Sequence, residues 1–294
     1  LNFKKRTKTL IKERAEMIET VYLNGEYIQK ENAKISPDDR GFIFADGVYE
    51  VVKYYNGKPF RYDDHLVRLK HSLAEIAIDY PDLESLEIIF SNLLMKNSLN
   101  DKHAGVYLQI TRGENKRVHY FPTEIIPTVY AFAFEFPSFT EKLENGIKVI
   151  THEDIRWLRC DIKSISLLPN TMLFNKAVEA GAGECVLVRN GVVTEATHSS
   201  ILGVKNGVVI THPLSNLVLP GISRKVVLEI CSDYNIPYEE RTILESEFYE
   251  MDEIILAGTG SEITPIVKVN EKIIGNNKPG EITRFIQQKF FEMV

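Results

Sequence analysis

Asp154-Ile155-Arg156-Trp157-Leu158-Arg159-Cys160-Asp161-Ile162-Lys163-Ser164 gathers the only tryptophan of the chain and two arginines ahead of a single lysine. Apolar neighbours, Ile162, Ile165, Leu167 and Leu168, flank that lysine and set it apart from an ordinary solvated one. Two further segments stand out downstream. Val193-Thr194-Glu195-Ala196-Thr197 ends a β-favouring run in an acid followed by small residues. Leu219-Pro220-Gly221-Ile222-Ser223-Arg224 reads as a turn that opens a helix.

Around these segments lie short hairpins. Asn24-Gly25, Asn56-Gly57, Asn190-Gly191 and Asn206-Gly207 each sit between β-favouring runs, the strongest short hairpin signal. They predict hairpins over 21–28, 49–60, 184–195 and 200–211. Apolar spacing predicts helices over 65–77, 83–99, 172–180, 223–232 and 281–293. Residues 104–112 and 127–136 read as buried antiparallel strands, and 253–256 as a further strand. Hairpins outnumber β-α-β units, which argues for an α+β architecture rather than a doubly wound parallel sheet. The turn-rich Pro137-Ser138-Phe139-Thr140 segment suggests a boundary between a small α+β domain, 17–137, and a larger one, 138–294.

Length and composition set outer limits. The 294 residues, 44% hydrophobic and 26% charged, suit one large or two ordinary globular domains with room for a buried ligand. A net charge of −6 gives no basic face for nucleic acid. No apolar run approaches the roughly 18 residues that span a bilayer, so no membrane partner is expected. Lys4, Lys5, Arg6, Lys8, Lys12 and Arg14 make residues 1–16 basic, but Glu13 and Glu16 break the acid-poor pattern of a targeting peptide. That segment is expected to be an extension without a catalytic part, with Met17 near the functional start. Cys160, Cys185 and Cys231 lack metal-ligand spacing and read as buried thiols of a reducing, cytoplasmic compartment, with no metal.

Several side chains carry possible chemistry. A lysine amine is a nucleophile only when neutral, and its usual pKa of about 10.4 must be lowered by desolvation or nearby cations. Glu195 can meet a flat ring over the small residues that follow it, or lie exposed at a strand end. Gly221-Ile222-Ser223 can offer free backbone N–H groups and a hydroxyl to an anion at a helix start. Ala257-Gly258-Thr259-Gly260-Ser261, after a strand, is a second small-residue anion nest. If 117–119 stays extended, Arg117 and His119 point the same way and can form an anion trap. A charge-assisted arginine–carboxylate bond there contributes about 1.5–3 kcal/mol. Otherwise this is a solvated loop.

Taken together, these motifs resemble the class IV aminotransferases, which use pyridoxal 5′-phosphate (PLP). The wording around the lysine is most similar to the D-amino-acid aminotransferases. The resemblance runs from about Val21 to Phe290 and includes Ser261-Glu262-Ile263-Thr264-Pro265. It implies a two-domain α+β fold with the cofactor between the domains. By resemblance, Lys163 is the catalytic, cofactor-tethering lysine, and Glu195 holds the pyridine nitrogen. Arg68, in His65-Leu66-Val67-Arg68-Leu69, then binds the phosphate with Ile222, Ser223 and Thr259, and Leu219 packs on the ring. Arg117 and His119, with Tyr49 of Asp46-Gly47-Val48-Tyr49-Glu50, grip the α-carboxylate. The family forms that trap partly from a neighbouring subunit, which implies a homodimer. The implied reaction is ping-pong transamination between D-amino acids, D-alanine above all, and 2-oxo acids such as 2-oxoglutarate.

Two positions depart from the family pattern. Ser200 stands where an asparagine is usual, and His198 where the D-specific enzymes have a small hydroxyl residue. The rival readings are aminodeoxychorismate lyase, a branched-chain L-amino-acid aminotransferase, and a non-enzymatic PLP-binding protein. The Arg-x-His pair counts against the lyase.

Overall fold

The structure, a computed structural model, describes residues 19–137 and 139–294. The N-terminal extension and Met17 lie outside the described residues, as does Ser138 in the turn-rich segment.

Six strands form a first, antiparallel sheet: β1 (Thr20–Leu23), β2 (Glu26–Gln29), β3 (Gly47–Tyr55), β4 (Lys58–Pro59), β5 (Ala104–Thr111) and β6 (Thr128–Glu135). Their order is β2-β1-β6-β5-β3-β4. The second sheet has ten: β7 (Ile147–Glu153), β8 (Glu184–Arg189), β9 (Val192–Ala196), β10 (Ser200–Lys205), β11 (Val208–Thr211), β12 (Tyr238–Glu240), β13 (Ile243–Leu244), β14 (Glu253–Gly258), β15 (Glu262–Val269) and β16 (Lys272–Ile273). Its main path runs β12-β11-β10-β14-β15-β7-β8-β9-β13, with β16 beside β15. The architecture is α+β. It is not wholly antiparallel, because β7 lies parallel to both β15 and β8.

All four hairpins form where the Asn-Gly pairs predict them. Both φ angles are positive in each pair, from 49° and 99° at Asn24-Gly25 to 50° and 80° at Asn206-Gly207. That is the two-residue turn whose twist matches paired strands, and asparagine and glycine are the residues that tolerate it. Val21 pairs with Ile28 across the first turn and Tyr54 with Pro59 across the second.

Helix Tyr62–Glu75 buries His65, Arg68, Leu69, Ser72 and Leu73, a stripe at helical spacing. Three of those five are polar, because the stripe faces a polar site as well as a core. Helix Leu86–Lys96 buries Leu86, Ile89, Phe90, Leu93 and Leu94 against the first sheet. The helix expected from Met172 begins four residues earlier, spanning Leu168–Glu179. Its first turn holds Pro169, whose fixed φ and missing N–H suit that position. Helix Ile222–Asp233 packs on β10 and β14, and helix Glu281–Phe291 lies beside it. No helix among the described residues is long and apolar enough to cross a membrane.

Candidate active site

A cavity of about 320 Å³ has walls from both sheets. Tyr49 and Val51 of β3, Arg68 of helix Tyr62–Glu75, and Phe134 and Phe136 at the end of β6 come from the first half of the chain. Lys163, Glu195, Leu219, Ile222 and Thr259 come from the second. Long-range folding thus joins most of the residues that the sequence singles out.

Lys163 is held through its backbone. Tyr49 N–H donates to Lys163 O at 3.0 Å, and Lys163 N–H donates to Ser72 Oγ at 3.1 Å. Val48 and Ser164 form an isolated antiparallel bridge. The lysine segment is therefore an added rung on β3, with Lys163 Nζ 4.2 Å from the centre of the Tyr49 ring.

Glu195 owes its aim to a β-bulge. β8 and β9 pair Val188 with Val193 but Val186 with Ala196, so β9 carries one extra residue over Thr194–Glu195. The carboxylate is buried at 6% exposure, so the alternative of an exposed strand end does not hold. It accepts from Arg156 Nη1 and, at 3.1 Å, from Leu219 N–H. Burial pushes the Glu195 carboxyl above its ordinary value, against the pull of Arg156. Arg156 is itself gripped by Asp154 at 2.9 Å through Nε and again through Nη2. Burial opposes the Asp154 charge too, but Arg156 and Arg189 hold that carboxyl down at about 2.

At the other end Arg68, only 6% exposed, makes a bidentate pair with Glu50 on β3 at 2.7 and 2.9 Å. His65 Nδ1 lies 2.9 Å from the same carboxylate. Burial works against the Glu50 charge, yet Arg68 and His65 hold its pKa well below the carboxylate range. Burial depresses His65 below the imidazole range.

The segment Leu219-Pro220-Gly221 ties the two ends together. Leu219 N–H meets Glu195, and Pro220 O accepts from Arg68 Nη1 at 3.1 Å. Gly221 then leads into helix Ile222–Asp233, which has no side-chain cap. Its first backbone N–H groups are therefore left to a ligand or solvent. A Cβ at Gly221 would stand 2.5 Å from Ser200 Oγ, so a side chain there would require the serine hydroxyl to move.

Three expected residues are placed differently. Ser223 is buried at 3% exposure, and its side chain does not line the cavity, because it lies on the inward face of its helix. Arg117 and His119 do not line it either. After β5 the chain turns at Gly113 (φ 99°) and carries them past helix Arg40–Phe44. There Arg117 lies 5.2 Å and His119 5.5 Å from the Phe44 ring, and Arg40 Nη1 holds Val118 O at 2.7 Å. The two side chains do share one neighbour, but within one chain they form no trap at this cavity.

Glu50, His65, Ser72 and the Asp154–Arg156 pair are supporting groups that the sequence reading left without a role. A polar residue at each of three inward positions of one helix was the legible signal for His65 and Ser72. Cys160 also lines the cavity, where burial pushes its thiol up to about 11 and so favours the protonated form.

Residues 47–269 match the family described as amino-transferase class IV. A D-alanine aminotransferase of Staphylococcus haemolyticus is 41% identical over 272 residues, 92% of this chain and 96% of the relative. One of Bacillus licheniformis is 38% identical over 274 residues, 91% of this chain and 94% of the relative. The solved branched-chain amino acid aminotransferase of Escherichia coli superposes with a TM-score of 0.88 at 25% identity, over 94% of each chain. With the lysine, the buried acid and the arginine gathered in one cavity between the two sheets, the chain belongs to the class IV aminotransferases.

Proposed function

We propose that this enzyme moves the amino group between D-amino acids, D-alanine above all, and 2-oxo acids such as 2-oxoglutarate, using PLP. The observation that carries this is the single cavity lined by Lys163, Glu195 and Arg68. Two relatives at 38% and 41% identity, each matched over more than nine-tenths of its length and named for D-alanine, support the substrate class. The branched-chain likeness at 25% identity is weaker.

The donor set suits the cofactor. Uncapped N–H groups of Ile222 and Ser223, with Thr259 and the Arg68 guanidinium, make an anion-holding end. A buried acid, Glu195, and an amine, Lys163, line the same cavity. When bound, the cofactor supplies an aldehyde that takes up the amino group and a ring that accepts the electron pair left by the α-proton.

The chain's own groups do the rest. Lys163 would hold the group through its aldehyde, and its amine, when free, would be the base placed to take and return the substrate α-proton. Glu195 would sit at the ring nitrogen and hold a proton there, and burial would strengthen that electrostatic pairing. Arg156 and Asp154 fix the Glu195 carboxylate in place. Leu219, on the cavity wall, would pack against the ring. Tyr49 orients the α-carboxylate, with Arg117 and His119 of a second copy completing the trap in a homodimer. Fixing the carboxylate decides which α-hydrogen faces Lys163 Nζ, and so selects the D-isomer.

The test is spectroscopic. Protein reconstituted with PLP is mixed with D-alanine or L-leucine, and pyruvate and the absorbance change are followed. Prompt conversion with D-alanine is expected, and borohydride labelling should map to Lys163. Conversion by L-leucine without conversion by D-alanine overturns the D-specific reading, and a label on another side chain overturns the assignment of Lys163.

A further inference from the structure

Among the described residues, the cavity wall holds four side chains able to carry positive charge: Arg68, Arg156, Lys163 and His198. Arg68 is committed to Glu50, and Arg156 to Asp154 and Glu195. Lys163 is the amine. His198 is left, and it is open: its side chain is 55% exposed.

Its ring is nevertheless fixed from behind. Glu184 on β8 is fully buried, and its Oε1 accepts from Cys185 N–H at 2.8 Å and from Thr197 Oγ1. Its Oε2 lies 3.0 Å from His198 Nδ1 and has no hydrogen-bond partner among the described residues. Because Thr197 donates its hydroxyl proton to Glu184, its oxygen is free to accept from His198 Nδ1, 3.0 Å away. The Nδ1 edge therefore carries a proton and faces Glu184. Phe174 meets the ring edge-on at 5.0 Å, and Asn170 Nδ2 pins Thr197 O at 2.6 Å. What remains is Nε2, the open edge of a ring on the cavity wall. A carboxylate arriving there would be met by Nε2–H when the ring carries both protons, with the other edge facing the buried Glu184 carboxylate.

We propose that His198, backed by Glu184, is the subsite for the distal carboxylate of a dicarboxylic 2-oxo acid. This deepens the amino-transfer reading and rests on it. A five-carbon dicarboxylate such as 2-oxoglutarate must place a second negative charge in the cavity that D-alanine does not have. Of the four side chains able to carry positive charge on the cavity wall, His198 is the one with no role in tethering, phosphate holding or ring pairing. It determines specificity in one half of the exchange and takes no part in the chemistry common to both.

The experiment compares the PLP-loaded wild type with His198→Ser and His198→Lys. Glutarate, which has both carboxylates but no reactive carbonyl, and butyrate, which has one, are titrated calorimetrically. His198→Ser should weaken glutarate binding by about tenfold or more, the scale of one charge-assisted bond, and change butyrate binding by less than about twofold. His198→Lys keeps a cation at that place and should retain most of the preference. In single turnovers of the amino-loaded enzyme, His198→Ser should lose rate with 2-oxoglutarate about tenfold more than with pyruvate. Equal losses for the two acids, or a wild type that binds glutarate no better than butyrate, overturn the assignment. Glutarate binding involves no amino transfer, so a chain inactive with D-alanine refutes the reaction while the titration still judges His198.

Discussion

Replacing Glu50 by glutamine removes one charge from a buried cluster while keeping its shape. In the native chain the carboxylate serves Arg68 Nε at 2.7 Å, Arg68 Nη2 at 2.9 Å and His65 Nδ1 at 2.9 Å, and is 2% exposed. Glutamine Oε1 can keep the first bond. Its NH₂ group then faces Nη2, donor against donor, so a charge-assisted bond worth about 1.5–3 kcal/mol is lost. Arg68 is also left buried without its counter-ion, which brings breakage of such a pair to about 3–5 kcal/mol. Because one bond survives, the expected loss is at the lower end, about 3 kcal/mol. At about 2.1 cal/mol/K per residue, a chain this long has an unfolding entropy near about 0.6 kcal/mol/K, so Tm falls by about 5 °C. The assay is urea and thermal unfolding of Glu50→Gln with and without PLP. A phosphate against Arg68 replaces part of the missing charge, so the deficit should shrink in the loaded protein. A variant within about 0.5 kcal/mol of wild type would refute the idea that Glu50 holds Arg68 in place.

Other perturbations test separate parts of the structure. Stability should fall on acidification in two stages. His65 is depressed by burial, so below its ordinary value of 6.5 protons favour the unfolded chain. Glu50 and Asp154 are held below the carboxylate range, so their contribution is present above an ordinary value of 3.8 for Asp154 and is lost as pH falls towards about 2. A urea midpoint that stays flat from pH 6.5 to 4 would contradict the neutral, buried His65. Lys53→Ala strands Glu262, which accepts from Lys53 Nζ and Tyr55 OH, each at 2.6 Å, across the two sheets; unfolding free energy should drop by about 3–5 kcal/mol. Tyr55→Phe removes the weaker of those bonds and should cost about 1.5–3 kcal/mol, read from the same curves. Gly221→Ala pushes a methyl group onto Ser200 Oγ and should destabilise by about 1–3 kcal/mol; adding Ser200→Ala should restore part of that, a coupling a double-mutant cycle measures directly.

What the sequence discloses of this fold is what local chemistry decides. An Asn-Gly pair between β-favouring runs favours its turn locally, so four hairpins could be placed from residue types alone. Lys163, Glu195, Arg68, Leu219, Ile222 and Thr259 were identified through resemblance, and the chain gathers them in one cavity. The groups that set their electrostatics were not legible, because each depends on pairing at a distance. Glu50 meets Arg68 only because β3 and the next helix pack face to face. Arg156 finds Glu195 only because β9 bulges and turns that carboxylate inward. The parallel placement of β7 between β15 and β8 is likewise invisible to periodicity, which reports faces and not neighbours. Arg117 and His119 lie near one ring, as their spacing predicts, but away from their own chain's cavity, because spacing predicts a shared direction and not what lies in that direction.

The bridge between Val48 and Ser164 has a mechanical meaning. Lys163 follows β7 in sequence, yet its peptide is stitched to β3 in the other half of the molecule, while Glu195 stays with β9. Any parting of the halves would pull the nucleophile and the acid in opposite directions. The seam between Val48 and Ser164 therefore fixes the spacing of amine and acid as well as the packing of the two halves.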